Sequence, residues 1–236
     1  KRPTILTSAT MTVSGRFGFI ERRLGLDGED VRRVVLPSPF DFKRQAKLFV
    51  PSDLPLINEV PLPQFVEQTA DAIAKIANVT KGRMLVLFTS NELLRLTHEA
   101  VKDQLDEAYT LLAQGVSGGS RSRLTKQFKR IDQSILFGTA SFWEGVDIPG
   151  EALTCLIIVR LPFAPPDQPV MQARGEKIEA TGKSSFFELS LPQSVIRFKQ
   201  GVGRLIRSKD DYGAIFVFDR RVETTRCGKQ FLNSLP

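Results

Sequence analysis

The sequence is short of metal ligands. It holds two cysteines, Cys155 and Cys227, and one histidine, His98, in 236 residues. Residues so few and so far apart exclude an iron–sulfur cluster or a zinc site built by this chain, and no metal-binding residue is expected. Both cysteines read as unpaired, which fits a reducing cytoplasm rather than a disulfide scaffold. Long hydrophobic runs are also missing. No stretch approaches the roughly 20 apolar residues that a membrane helix needs, and no secretory leader pattern opens the chain. Charge of one sign does not dominate, yet Lys and Arg outnumber Asp and Glu by 33 to 26, a net charge of +7. That excess is a moderate pull toward nucleic acid. What is present is apolar mass. The 42% hydrophobic content suffices for a core, and the length suits one α/β domain with insertions or two small ones.

Apolar runs and helical periodicities alternate along the chain. Strands are expected at Thr4 to Leu6, Val31 to Phe40, Lys47 to Val50, Met84 to Phe88, Tyr109 to Leu112, Ile135 to Gly138, Leu153 to Leu161 and Ala214 to Phe218. Helices are expected from Gln64 to Ile76 and from Ser120 to Ile131, and from a capping-box pattern at Thr89-Ser90-Asn91-Glu92. The alternation predicts an α/β fold with a doubly wound, mostly parallel sheet. Residues 162–192, rich in proline and polar side chains, interrupt it as a long excursion. Cys155 lies inside an apolar run and reads as a small core residue.

Two segments carry candidate chemistry. Gln200-Gly201-Val202-Gly203-Arg204-Leu205-Ile206-Arg207 has the form Q-x-x-G-R-x-x-R. On a helix, Gln200, Arg204 and Arg207 would share one face, and two guanidinium forks there would suit a polyanion such as a nucleoside triphosphate. A solvated basic face is the plainer reading. Gly201 and Gly203 argue against it, because each weakens a helix by about 0.5–1 kcal/mol unless something approaches the backbone closely. The other segment, Ser134 to Gly150, runs from an apolar strand into the polar loop Thr139-Ala140-Ser141-Phe142-Trp143-Glu144-Gly145-Val146-Asp147. Trp143 suits either base stacking or packing. Arg121, Arg123, Lys126, Lys129 and Arg130 make an outward basic stretch, either a solvated face or a phosphate track.

Two imitations of nucleotide motifs fail on context. Gly182-Lys183-Ser184 ends like a phosphate loop, but Lys177 stands where the pattern needs its first glycine. Asp106-Glu107-Ala108-Tyr109 resembles an acidic box, but an amphipathic helix pattern precedes it, not a strand.

Together these segments resemble the DinG branch of superfamily 2 helicases, relatives of XPD. Thr7-Ser8-Ala9-Thr10 is similar to motif III, Val86 to Ser90 to motif IV, the loop of the Ser134–Gly150 segment to motif V, and Gln200 to Arg207 to motif VI. The four occur in the family's order and cover nearly the whole chain. The resemblance implies that residues 1–236 form the C-terminal RecA-like domain of an ATP-dependent DNA helicase. Residues 1–13 would hold the motif III strand at the junction with a first motor domain, and the excursion would lie within the domain. The chain starts Lys1-Arg2 without Met, as part of a longer protein would.

The resemblance also assigns roles. ATP and Mg2+ would be held mainly by the first motor domain, which carries the phosphate loop. Arg204 and Arg207 would act as arginine fingers, and Gln200 would set the attacking water or a phosphate contact. Glu144, Gly145, Asp147 and Gly203 would lie on the nucleotide side, although Glu144 and Asp147 also suit loop capping. Thr89, Ser90 and Asn91 at a helix start, with Thr139 and Ser141, would grip single-stranded DNA phosphates. Expected partners are single-stranded DNA, ATP, the first motor domain and, in some relatives, an exonuclease domain; no membrane is expected. Two other readings stay open: a non-motor DNA-binding or regulatory domain fused to a 3′–5′ exonuclease, and an RNA helicase domain.

Overall fold

Among the described residues, six parallel strands form one sheet. The computed structural model describes residues 4–26, 31–143, 148, 150–165 and 167–235. The strands are β1 (Ala46–Phe49), β2 (Met84–Leu87), β3 (Thr110–Ala113), β4 (Ser134–Gly138), β5 (Cys155–Ile158) and β6 (Gly213–Val217). Their order across the sheet is β1-β6-β5-β2-β4-β3. Every pairing is parallel, with Met84 in register with Ile135 on one side and with Cys155 on the other. The helices are α1 (Gly18–Leu24), α2 (Phe42–Gln45), α3 (Leu62–Thr80), α4 (Asn91–Lys102), α5 (Arg121–Arg130), α6 (Ala140–Trp143), α7 (Pro169–Glu179), α8 (Leu191–Val202), α9 (Arg221–Thr224) and α10 (Gly228–Leu232). None of the described helices is long and apolar enough to cross a membrane.

Burial on both faces explains why β2, β4 and β5 read as unbroken apolar runs. Leu85, Leu87, Leu136, Leu156 and Ile158 point to one face and pack with α5, α6, α8 and α10. Their neighbours Met84, Val86, Ile135, Phe137, Cys155 and Ile157 point to the other face, against α3 and α4. On that side His98 meets the Phe137 ring edge-on at 5.5 Å, and burial lowers its pKa. The chain's one histidine is therefore a packing residue.

The helix α3 runs further than its apolar pattern announces. It ends only where Lys81, Gly82 and Arg83 all take left-handed backbone angles. Gly82 has no alternative, since a Cβ there would lie 2.9 Å from the Gln133 and Ser134 backbone. Two expected strands do not form. Residues 4–6 and 31–40 pair with no neighbour among the described residues, and Ile5 and Leu36 are exposed. Apolar content alone does not make a strand without an edge to pair with.

Residues 162–192 are largely helical. They contain α7 and a π-helical turn, Phe186–Ser190, that runs straight into α8. Met171 and Leu189 form a small separate core with Phe19 of α1, and Arg22 pairs with Glu188 at 2.7 Å.

Cys155 sits at the start of a central strand, fully buried, and burial pushes its thiol up to about 12. Iodoacetamide at neutral pH is therefore expected to label Cys227 and spare Cys155 until denaturant is added. Peptide mass spectrometry before and after unfolding checks this, and rapid native labelling of Cys155 would refute it.

Candidate functional site

The carboxyl ends of β2, β3 and β4 are tied together by Thr139. Its hydroxyl lies 2.9 Å from Asn91 Oδ1 and 3.1 Å from Gln114 Oε1, and its backbone N–H donates to Gln114 Oε1 at 3.0 Å. One hydroxyl carries one proton, so it donates to Asn91 or to Gln114 at any moment. Ser90 caps α4 by accepting from the Leu93 N–H at 3.2 Å. The cap is thus Ser90, one residue beyond the expected Thr89, whose side chain is half-buried. Arg121, the first residue of α5, donates to the Ser141 carbonyl at 2.9 Å.

The five residues expected to grip phosphate, Thr89, Ser90, Asn91, Thr139 and Ser141, therefore do gather on one crest of the sheet. Ser90 and Asn91 are exposed there and Thr139 is buried beneath them. Gln114 was not anticipated from the sequence. Its signal was position: it follows β3 directly, as Thr139 follows β4.

Trp143 is a packing residue, which corrects the base-stacking alternative. It is 1% exposed, and its indole N–H donates to the Phe88 carbonyl at 2.9 Å. Its ring lies against Gly201, where a Cβ would come within 2.9 Å of Cε3 and Cζ3. Close approach to the backbone is thus confirmed at Gly201, and the approaching group is the protein's own tryptophan. At Gly203 it is not confirmed, since that residue is exposed and a Cβ would meet nothing nearer than 3.3 Å.

Gln200, Arg204 and Arg207 do not share a helical face. The helix α8 stops at Val202, where the Gly203 N–H bonds back to Lys199 and Gly201, and both arginines lie in the turn beyond. Arg204 folds inward. It is 8% exposed and its Nη2 donates to the Trp143 carbonyl at 2.9 Å. Gln200 stays on the helix, with Nε2 3.4 Å from Thr10 Oγ1, so the first and last of the singled-out segments meet.

The Arg207 turn is built by Asp211. One carboxylate oxygen accepts from the N–H groups of Arg207 at 2.7 Å and Ser208 at 2.9 Å, and the other from the Ser208 hydroxyl at 2.7 Å. Gln45, just before β1, donates to the Ser208 and Asp211 carbonyls at 2.8 Å each. Burial raises the Asp211 carboxyl, but those hydrogen bonds and the Arg207 charge outweigh it and hold it below its ordinary range. Burial lowers the Arg207 pKa, against the pull of Asp211. Arg207, Gly203, Phe40, Gly150 and Asp211 line an open cleft of about 620 Å³. This turn leads into the start of β6, so it occupies the sheet edge opposite the Asn91–Thr139 crest. Glu144, Gly145 and Asp147 lie outside the described residues.

Comparison with known proteins places these contacts in context. The family model described as "Helicase C-terminal domain" matches residues 73–236. A Bacillus subtilis protein named 3′-5′ exonuclease DinG is 43% identical over 100% of this chain and 26% of its own length. The Escherichia coli ATP-dependent DNA helicase YoaA is 39% identical over 98% of this chain and 35% of its own. The chain thus spans about a quarter to a third of these relatives. Among solved structures, one titled "XPD_Helicase" covers 80% of this chain and 34% of its own, with a TM-score of 0.61 at 18% identity. A second, "XPD_APO", covers the same share of this chain with a TM-score of 0.57 at 17% identity.

The Asp211 turn gives a pH prediction with a definite sign. Its folded pKa is depressed, so its stabilising contribution is complete above the ordinary carboxylate range and is lost as pH falls through the folded value. Asp211→Asn is expected to cost about 1–3 kcal/mol at neutral pH. The gap from wild type in urea midpoint should narrow below about pH 4. A gap that widens with acid would contradict the assignment. Separately, Gly201→Ala forces the Trp143 ring to move and is expected to cost about 1–3 kcal/mol by the same measurement.

Proposed function

We propose, from the premise that the chain belongs to the helicase C-terminal domain family of the DinG and XPD type, that it is the second motor half of an ATP-dependent DNA helicase. One observation carries this reading furthest. The residues that resemble four separate helicase motifs are joined by direct contacts: Thr10 to Gln200, Phe88 to Trp143, and Trp143 to Arg204. Such convergence is hard to account for if the segments were unrelated loops.

In this reading ATP and Mg2+ sit mainly on the first motor domain of the same protein. The residues here fit the completing role rather than the holding one. Gly182-Lys183-Ser184 follows α7 and precedes the π-helical turn, so it lacks the strand that a phosphate loop needs. Arg207 beside the open cleft is the arginine finger, stabilising charge that develops on the transferred phosphate. Arg204 acts by position, holding the loop after β4 through the Trp143 carbonyl. Gln200 and the Glu144 and Asp147 loop complete the nucleotide side. At the opposite edge Ser90 and Asn91 grip DNA phosphates with hydroxyl, amide and helix-start N–H groups, and Thr139, buried beneath them, holds Asn91 in place. Hydrolysis would close and open the cleft between the two motor halves and so move the strand.

A second reading is favoured by the printed name of the Bacillus subtilis relative: a nucleic-acid-binding domain serving a 3′–5′ exonuclease, without motor work. In the full-length protein the two readings separate on ATP turnover. Arg207→Ala is expected to cut DNA-stimulated turnover by about 10³-fold while ATP affinity stays near wild type. Arg207→Lys should not rescue it, because an ammonium lacks the planar fork. Arg204→Ala should lose turnover and stability together, since it removes a buried partner of Trp143. Nuclease activity that survives with no ATP turnover in the wild-type protein would favour the second reading. This chain alone should show no Mg2+-dependent turnover, and turnover abolished by Lys183→Ala would restore the Gly182-Lys183-Ser184 site.

A further inference from the structure

Arg160 stands at the carboxyl end of β5, and its side chain makes no hydrogen bond or ion pair among the described residues. Its Nε is buried and without an acceptor. The carboxylate whose charge acts on it is Asp219, at the end of β6, and that carboxylate is already saturated. Asp219 accepts from the Leu161 N–H at 3.0 Å, from the Arg221 N–H at 3.2 Å, and from Arg221 Nε and Nη2 at 2.8 and 2.6 Å. Burial lowers the Arg160 pKa first, the Arg221 charge adds to that, and Asp219 opposes both. A half-buried cation crowded by a second cation is costly unless an anion comes to it.

The topology says where that anion would run. The helix after β2, α4, covers one face of the sheet, whereas α6 after β4 and α8 in the connection from β5 to β6 cover the other. Connections that part in this way leave a crevice on each side of β2 at the carboxyl edge. One crevice holds Asn91 and Thr139. The other lies between Thr89 at the end of β2 and Arg160 at the end of β5. With strands about 4.8 Å apart, the span from β4 to β5 is about 10 Å, within reach of neighbouring phosphates on one strand.

Exposed aromatic rings on the connection that follows Arg160 favour a nucleic acid over a simple acid. Phe163, three residues after Arg160, stacks on Phe186 at 5.8 Å, and Phe187 meets Phe186 edge-on at 5.2 Å. Phe186 and Phe187 are 38% and 56% exposed. Cations with exposed rings are the equipment of single-strand binding, where bases stack and phosphates pair.

We propose that Arg160 is a phosphate-binding residue for single-stranded nucleic acid, continuing the Asn91–Thr139 group across the end of β2. The proposal rests on the reading of this chain as a nucleic-acid motor half.

The test uses the full-length protein and a fluorescent oligothymidylate, with affinity followed by anisotropy over a range of salt. Arg160→Ala is expected to weaken binding by about tenfold and to reduce the salt slope by about 0.7, the loss of one phosphate contact. Arg160→Lys should keep most of the slope. The melting temperature of Arg160→Ala without nucleic acid should stay level or rise, because an uncompensated buried charge has been removed. A lower melting temperature with an unchanged slope would overturn the proposal in favour of a structural partner, such as a carboxylate elsewhere in the protein. Asn91→Ala and Thr139→Val separate the two levels of argument. If they weaken binding and Arg160→Ala does not, this proposal alone fails. If all three bind as wild type does, the nucleic-acid reading of the crest fails with it.

Discussion

The indole N–H of Trp143 donates to the Phe88 carbonyl, its own carbonyl accepts from Arg204, and its ring lies on Gly201. Phe88, Arg204 and Gly201, each from a different part of the motif-like segments, thus meet at this one residue. A buried indole has a single donor and needs it satisfied. The Phe88 carbonyl meets that need at the point where β2 ends and the Thr89-Ser90-Asn91 turn begins. The ring then requires a residue without a side chain on α8, and Gly201 supplies it. The helix tolerates glycine there because a larger residue would displace the ring from the core.

This packing explains how one small sheet serves two edges. The Asn91–Thr139 crest lies where strands end and helices start, so hydroxyl, amide and backbone N–H groups converge on it. The Arg207 turn lies where α8 returns to the start of β6. Trp143 touches both, with a hydrogen bond to the Phe88 carbonyl on the crest side and another from Arg204 on the turn side. A displacement of the Arg204 turn therefore has a short route to the end of β2, through one rigid ring system and two hydrogen bonds.

Much of this was legible in the sequence, and the failures have physical causes. The strands at 84–87, 134–138 and 155–158 announce themselves because burial on both faces demands unbroken apolar runs. The N-terminal segments 4–6 and 31–40 carry similar apolar content but find no edge, and pairing is a property of the partner as much as of the run. The four motif-like segments do meet in the fold, and Thr139 lies 2.9 Å from Asn91. The helical face of Gln200, Arg204 and Arg207 was not. Its spacing was sound, but Gly203 closes α8 before Arg204, and periodicity says nothing once the helix has ended. Trp143 left two readings open because a tryptophan after a strand serves stacking and packing equally; only the Phe88 carbonyl decides. Arg160 gave no signal at all. Its interest depends on Asp219, 59 residues away, being fully occupied by other donors, and no local pattern records that.

That occupation is part of a wider rule in this fold. The two carboxylates buried nearest the arginines, Asp211 and Asp219, both bind backbone N–H groups. Asp211 fixes the Arg207–Ser208 turn, and Asp219 ties the end of β5 to the start of α9. Asp219 also takes a bidentate ion pair from Arg221, so its oxygens are occupied on both sides. Asp211 likewise holds backbone donors beside Arg207, in a chain with a net charge of +7. Under the nucleic-acid reading proposed above, such acids hold the backbone in shape and the arginines are the groups left to meet phosphate.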